Sequence, residues 1–207
     1  NLVGAWQQDR WSNGGSRGLV VGASFDGGKN WTVQPIPKVT LCSGGTEDNG
    51  GGYQRATDPW VTFGPDGVVY QLSLSFNDSD FKHALLASKS SDRGMTWSDP
   101  VPIKTDTAPT VFNDKQSITA DPHDATHVYA IWDRLVYPNE KANVKAAFRA
   151  AAYRGPIWFA RSTDGGDSWE PARPIYDPGQ NSQTIGSQIV VLPKDTLQNY
   201  DLVNVFN

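Results

Sequence analysis

One cysteine, Cys42, and three histidines in 207 residues leave little room for several kinds of chemistry. A lone Cys has no partner within the chain, so cysteine use neither braces the fold nor settles the redox compartment. His83, His123 and His127 are too scattered to read as a metal set or as part of a Ser-His-Asp arrangement. Basic residues are outnumbered, 18 Lys and Arg against 22 Asp and Glu. The resulting formal charge of −4 argues against a nucleic-acid binder, which needs a basic footprint. No apolar run approaches the ~18 residues of a membrane-spanning helix. No glycine-rich phosphate loop precedes a helix.

What the chain does have is one phrase written three times. Ser24-Phe25-Asp26-Gly27-Gly28-Lys29-Asn30-Trp31, Ser90-Ser91-Asp92-Arg93-Gly94-Met95-Thr96-Trp97 and Ser162-Thr163-Asp164-Gly165-Gly166-Asp167-Ser168-Trp169 share the skeleton Ser-x-Asp-x-Gly-x-x-Trp, 66 and then 72 residues apart. Such spacing marks a tandem array of one supersecondary unit. Each copy reads as a tight hairpin turn. The Ser and Asp side chains bond the turn's own backbone N–H groups, Gly takes the position that needs positive φ, and Trp begins the return strand. The incoming strands, residues 18–23, 84–89 and 157–161, are rich in apolar and aromatic residues. The outgoing ones stop at Pro35/Pro37, Pro100/Pro102 and Pro171/Pro174, as suits an edge strand that can spare a donor. Ser24, Asp26, Gly28 and Trp31, with Ser90, Asp92, Gly94, Trp97 and Ser162, Asp164, Gly166, Trp169, are therefore read as a folding device rather than as catalysts.

Two further strands precede each later copy: 58–63 and 68–74 before the second, 115–120 and 128–132 before the third. The pattern restarts at 188–192 and 202–206. The unit is thus four antiparallel strands, A to D, with the repeated turn between C and D, which is the blade of a β-propeller. Boxes of this kind resemble the Asp-box (BNR) repeats of the sialidase, or neuraminidase, superfamily, and the resemblance extends over the whole chain. It implies an all-β propeller of six or seven blades. About three are present, at residues 1–38, 54–103 and 113–176, with the start of another at 186–207, and the remaining blades are expected outside this stretch. Asn30-Trp31-Thr32 and Asn77-Asp78-Ser79 match the glycosylation pattern and point toward a secreted or extracellular protein. Eight Trp and seven Tyr suit stacking on sugars and propeller packing equally well.

Strand order sorts the polar residues between two ends. The boxes share one end with the A–B turns; the starts of A, the ends of B and the B–C and D–A loops share the other, where the resemblance places an active site around the axis. Arg10, Arg55, Lys115 and Arg134, with Asp9, Asp58, Asp114 and Asp133, fall at that second end. Guanidinium and carboxylate groups in one cleft fit an acidic sugar, with Arg as a bidentate fork. Arg10, Arg55, Lys115, Arg134 and Arg154 are the candidate substrate-binding residues, and Asp58, Asp114 or Asp133 the candidate acid/base. The alternative for each Asp-Arg pair is an ion pair that ties blades together. The Gly-rich loop 40–54 reads as flexible unless neighbours pin it. The segment 139–154 reads as a short helix capped by Asn139, either a lid carrying Arg149, Tyr153 and Arg154 or an insertion packed on a neighbouring blade. Tyr153-Arg154-Gly155-Pro156 is the nearest match to the Arg-Ile-Pro motif of sialidases, but it precedes a C strand rather than an A strand.

Three functions follow as expectations. The first is a glycosidase that cleaves at or next to an acidic sugar, its nucleophile unassigned. The second is a polysaccharide lyase on uronate-containing glycans, with Arg neutralising the carboxylate. The third is a propeller that binds glycan or protein without catalysis. No cofactor is implied; calcium in an axial channel or loop stays open, with no EF-hand spacing to support it.

Overall fold

The computed structural model describes residues 1–139, 154–193 and 201–207. Of the segment 139–154 expected as a short helix, residues 140–153, with Arg149 and Tyr153, lie outside the described residues, and Arg154 stands in a short strand. Within them the regular structure is β, apart from one 3-10 turn at Leu41–Ser43. Strands β1 (Leu2–Arg10), β2 (Ser16–Ser24) and β3 (Thr32–Pro35) form a first antiparallel unit. A second runs β4 (Arg55–Phe63), β5 (Val69–Phe76), β6 (His83–Ser90) and β7 (Val101–Asp106). In the third, β8 (Val111–Ala120), β9 (Val128–Val136), β11 (Ile157–Ser162) and β12 (Arg173–Tyr176) pair in the same order. The short strands β10 (Arg154–Gly155) and β13 (Ser182–Gln183) attach beside β9, and β14 (Gln188–Val191) pairs with β15 (Leu202–Val205). One bridge, Ser16 to Ala56, joins the first unit to the second, and the sheets do not close into a ring among the described residues.

Successive sheets pack face to face because their strands are apolar on both sides. On β6, Ala84 and Leu86 face the first unit, where they meet Leu19, Val21, Ile36 and Val39. The alternate residues Leu85 and Ala87 face the third unit and join Leu72, Leu74, Ile118, Val128 and the fully buried Trp132. Each such leucine contributes about 1.5–3 kcal/mol by leaving water. A third cluster, Tyr129, Ile131, Ile157 and Phe159, receives Ile189 of β14.

The repeated turns form as their side chains dictate. In the first, Ser24 Oγ donates to Asp26 Oδ1 (3.0 Å) and accepts from the N–H of Gly28 (2.8 Å), while Asp26 Oδ1 accepts from the N–H groups of Lys29 and Asn30. Ser90, Asp92, Gly94, Met95 and Thr96 repeat this set, and Ser162, Asp164, Gly166 and Ser168 repeat its core. Gly28, Gly94 and Gly166 stand at φ +89°, +99° and +84°, which explains the glycine. The bonds to Asn30, Thr96 and Ser168, respectively, help hold each Asp at about 2. Two of the Trp lean back onto the preceding sheet: Trp97 packs on the first core and Trp169 on the second, whereas Trp31 is exposed. Trp31 and Trp97 donate their indole N–H to Gly28 and Gly94, whereas Trp169 Nε1 is buried without a partner among the described residues.

The register sets the two ends apart. In the second unit Phe63, Val69 and Ser90 align at the turn end, while Arg55, Phe76 and His83 align at the other. In the third, Ala120, Val128 and Ser162 align at the turn end, with Val111 and Val136 opposite. The glycine-rich loop 40–54 is built rather than loose. A Cβ on Gly51 would lie 1.7 Å from the Lys38 carbonyl oxygen, and one on Gly45 2.0 Å from that of Gly51, so these glycines permit close backbone approach.

The middle turn gives a direct test. Ser90 is buried and its hydroxyl is the partner of the buried Gly94 N–H. Ser90→Ala is expected to lower unfolding free energy by about 1–3 kcal/mol in urea titrations, because that donor is left unsatisfied.

Candidate functional site

Three strand starts repeat one backbone irregularity. The β4–β5 register shifts between Thr57 and Trp60, and the β8–β9 register between Asp114 and Ser117. Within these bulges Asp58 and Lys115 each adopt φ +50°, and Gly186, ahead of β14, adopts φ +73°. Left-handed backbone costs a residue with a Cβ about 1–2 kcal/mol, so the surrounding pairing must impose it. The triplets Asp58-Pro59-Trp60, Lys115-Gln116-Ser117 and Gly186-Ser187-Gln188 together line a cleft of about 330 Å³. It lies at the strand starts, away from the Ser/Asp turns.

The polar groups of the cleft are linked across units. Lys115 Nζ pairs with Asp58 Oδ2 at 2.9 Å and stands 3.9 Å from Asp114 Oδ1. Asp58 Oδ1 accepts from Thr57 Oγ1 (2.9 Å) and Gln7 Nε2 (3.4 Å), and the Asp58 carbonyl accepts from Gln116 Nε2 (2.6 Å). Burial pushes the Asp114 carboxyl up, the Asp58 charge adds to that, and the Lys115 ammonium opposes it. Lys115 loses solvation too, yet Asp114 and Asp58 outweigh that loss and raise its pKa. A carboxyl whose pKa is raised, Asp114, thus stands beside the cleft, and Asp58 in its lining is paired with the Lys115 ammonium.

Asp133 belongs to this neighbourhood but not to its open surface. It is 1% exposed and accepts from Thr184 Oγ1 (3.1 Å), Gly186 N (2.9 Å) and Ser187 Oγ (3.4 Å). Burial raises its pKa, and these donors oppose the rise. With its oxygens turned to the segment before β14, Asp133 is a tether and does not meet the expectation of an acid/base open to substrate.

The arginines do not gather with the aspartates. Arg134 is held by Asp106 (2.6 and 2.9 Å) and Asn113 (2.9 Å), with its guanidinium 4.7 Å from the Trp158 ring. Partial burial pushes the largely covered Asp106 up, but the bonds from Arg134 and Asn113 win and bring it down to about 2. Arg55 donates to Asn13 Oδ1, Gly14 O and Asp78 Oδ2, with Trp11 5.0 Å away. Arg154 pairs with Asp177. Arg10 is exposed at the end of β1, without an ion pair among the described residues, and Asp9 beside it accepts from Gln8. The expected anion clamp of Arg10, Arg55, Arg134 and Arg154 is thus replaced by separate pairs, because each of the latter three has a carboxylate within reach. Sequence reasoning missed Gln7, Gln116, Asn113 and Asp106; an Asn directly before Asp114 was the only local hint. Asn30 and Asn77, the glycosylation candidates, both spend their side-chain amides inside their own turns, on Asp26 and Asp80. Among the described residues no group of three or more His, Cys, Asp or Glu is placed to hold a metal ion.

No protein-family model and no curated protein matches the chain. Solved structures do. A Hadza microbial sialidase aligns with TM-score 0.51 at 16% identity, over 83% of this chain and 33% of that one. A protein of unknown function from Dyadobacter fermentans aligns with TM-score 0.54 at 20% identity, over 86% and 42%. A Penicillium chrysogenum alpha-L-arabinanase, solved with arabinobiose, aligns with TM-score 0.57 at 15% identity, over 91% and 49%. These likenesses show the fold, an all-β propeller type, and the chain spans a third to a half of the length of each.

Two measurements probe this geometry. Arg134→Ala, which strands the buried Asp106, is expected to cost about 3–5 kcal/mol of stability, whereas Arg10→Ala should stay within about 0.5 kcal/mol. By NMR titration of the carboxyl carbons, Asp114 should titrate above an ordinary Asp. Its pKa should fall in Asp58→Asn, which removes a like charge, and rise in Lys115→Met, which removes the opposing one.

Proposed function

We propose that the chain forms a sialidase-like, Asp-box propeller of a secreted, carbohydrate-active protein, and that the cleft lined by Asp58 and Lys115, with Asp114 beside Lys115 at its edge, hydrolyses a glycosidic bond. The observation that carries this reading is the pair of carboxyl groups with opposed environments. Burial raises the Asp114 pKa, while Asp58 pairs with the Lys115 ammonium and accepts from Thr57 Oγ1. Glycoside hydrolysis requires that division of labour. In this mechanism Asp114 gives its proton to the leaving oxygen as the C–O bond breaks. Asp58 takes a proton from the water whose oxygen bonds to the anomeric carbon. Lys115 stays charged throughout and orients Asp58.

The substrate reading shifts from an acidic to an uncharged sugar at the cleft itself. Arg55 and Arg134 are committed to Asp78 and Asp106, and the charged residues that line the cleft are Asp58 and Lys115, paired with each other. Elimination on a uronate is disfavoured for the same reason. His83, a candidate base, is buried with one ring nitrogen on Phe81 O and the other accepting from Asn113 N. A non-catalytic glycan-binding propeller is the second reading. It is favoured by the number of charges at this end already consumed in ion pairs, and opposed by the concave cleft.

Release of reducing ends from arabinan, xylan, galactan and sialosides tests the choice. Turnover on a neutral glycan is expected, falling about 10²- to 10⁴-fold in Asp114→Asn and in Asp58→Asn while the circular dichroism spectrum is unchanged. No turnover by the wild type on the whole panel would overturn the hydrolase in favour of the binding module.

A further inference from the structure

A second cleft of similar size, about 330 Å³, opens at the same end of the sheets, between the β1–β2 hairpin and the β5–β6 loop. Its lining includes the aromatic residues Phe76, Phe81, His83 and Phe112 and the amides Asn13 and Asn77. Phe112 stands edge-on to Phe76 at 6.1 Å and lies 4.9 Å from the His83 ring. Phe81 is 47% exposed, a large apolar ring left to solvent at the edge of a concavity.

The walls are braced. Gln54 Oε1 accepts from Asp78 N (2.7 Å), and Gln54 N donates to Asn77 Oδ1 (3.1 Å). Asn77 N bonds Lys82 O, and Arg55 ties Asp78 to the hairpin through Asn13. On the hairpin side, Gly15 leaves no gap. A Cβ there would fall 2.6 Å from the Phe76 ring, so the glycine lets the hairpin seat against that ring. A cleft held this way is formed before a ligand arrives, which lowers the entropy cost of binding.

The charges of the rim are answered internally. Asp78 pairs with Arg55, Lys82 with Glu47, and Asp80 accepts from Asn77 and from Lys82 N. Burial lowers the His83 pKa and favours its neutral ring. An ionic ligand gains little from such a site. Aromatic faces beside amide groups suit a molecule that is apolar on its C–H faces and polar at its edge, and an uncharged sugar ring has that form. Arg55, which braces this cleft through Asn13 and Asp78, and Asp58, in the first, are three residues apart on β4, about 10 Å of strand.

We propose that this second cleft is an accessory subsite for an uncharged sugar unit of a polymeric glycan, with Phe81 as its stacking platform. Its place in catalysis rests on the hydrolase reading above, through which the same glycan would extend toward Asp58 and Asp114. Affinity electrophoresis of the full chain in gels containing arabinan, xylan or galactan separates the two. The wild type and Asp114→Asn are expected to be retarded equally by at least one of these neutral polysaccharides. Phe81→Ala should weaken that retardation about ten-fold and Phe81→Tyr should restore it. Phe81 is exposed, so its replacement leaves the core intact. The subsite is overturned if none of the three polysaccharides retards the wild type, if Phe81→Ala is retarded as strongly, or if Asp114→Asn alone abolishes the effect. Phe81-dependent retardation without turnover would leave the subsite standing and remove the hydrolase.

Discussion

The molecule depends on sheets that must bury both faces. A strand such as β6, apolar at every position from Ala84 to Ala87, has no side to give to water, so it is stable only between two other sheets. That requirement stacks the units in sequence order and brings the starts of β4, β8 and β14 side by side, although 57 residues separate Asp58 from Lys115. The Ser/Asp turns serve the same end from the far side. Each closes a hairpin with its own side chains and presses a Trp onto the core of the preceding sheet, except the first, whose Trp31 is 46% exposed.

Polar interactions then decide how the packed sheets are fastened at the cleft end. Arg134, Asp106 and Asn113 form a buried knot between the second and third units, and Trp132 and His83 bond the same Asn113. Removing one member of such a set costs more than its assembly contributes, because the remaining charge or amide stays buried. Asp133 does the corresponding work between the third unit and the segment before β14. The cleft sits between these fastenings.

Much of this was legible in the chain. The strands around each repeat, the turn chemistry of Ser90, Asp92 and Gly94, and the sorting of Arg55 and Asp114 away from the turns follow from local pattern and strand alternation. The bulges were not. Nothing in Thr57-Asp58-Pro59 or Asp114-Lys115-Gln116 announces a register shift, which arises only when each strand meets its neighbour. The fate of the arginines was hidden for a related reason. Arg134 and Asp106 are 28 residues apart, and Arg55 and Asp78 are 23 apart, so only the folded arrangement reveals that each cation is already taken. In loop 40–54 the pattern left open whether neighbours pin the glycines, and the close approach of backbone at Gly45 and Gly51 shows that they do.

The left-handed node shared by Asp58, Lys115 and Gly186 has a wider implication for how such a protein diversifies. At Asp58 and Lys115 the conformation coincides with a register shift in the pairing, so an acid and a base occupy corresponding places, while ahead of β14 a glycine takes up the same left-handed backbone. Mutation at these nodes can therefore exchange the reactive groups of a ligand site one unit at a time while the scaffold stays intact. A family built on this plan would acquire new specificities by single-residue drift, with no need to remodel its loops.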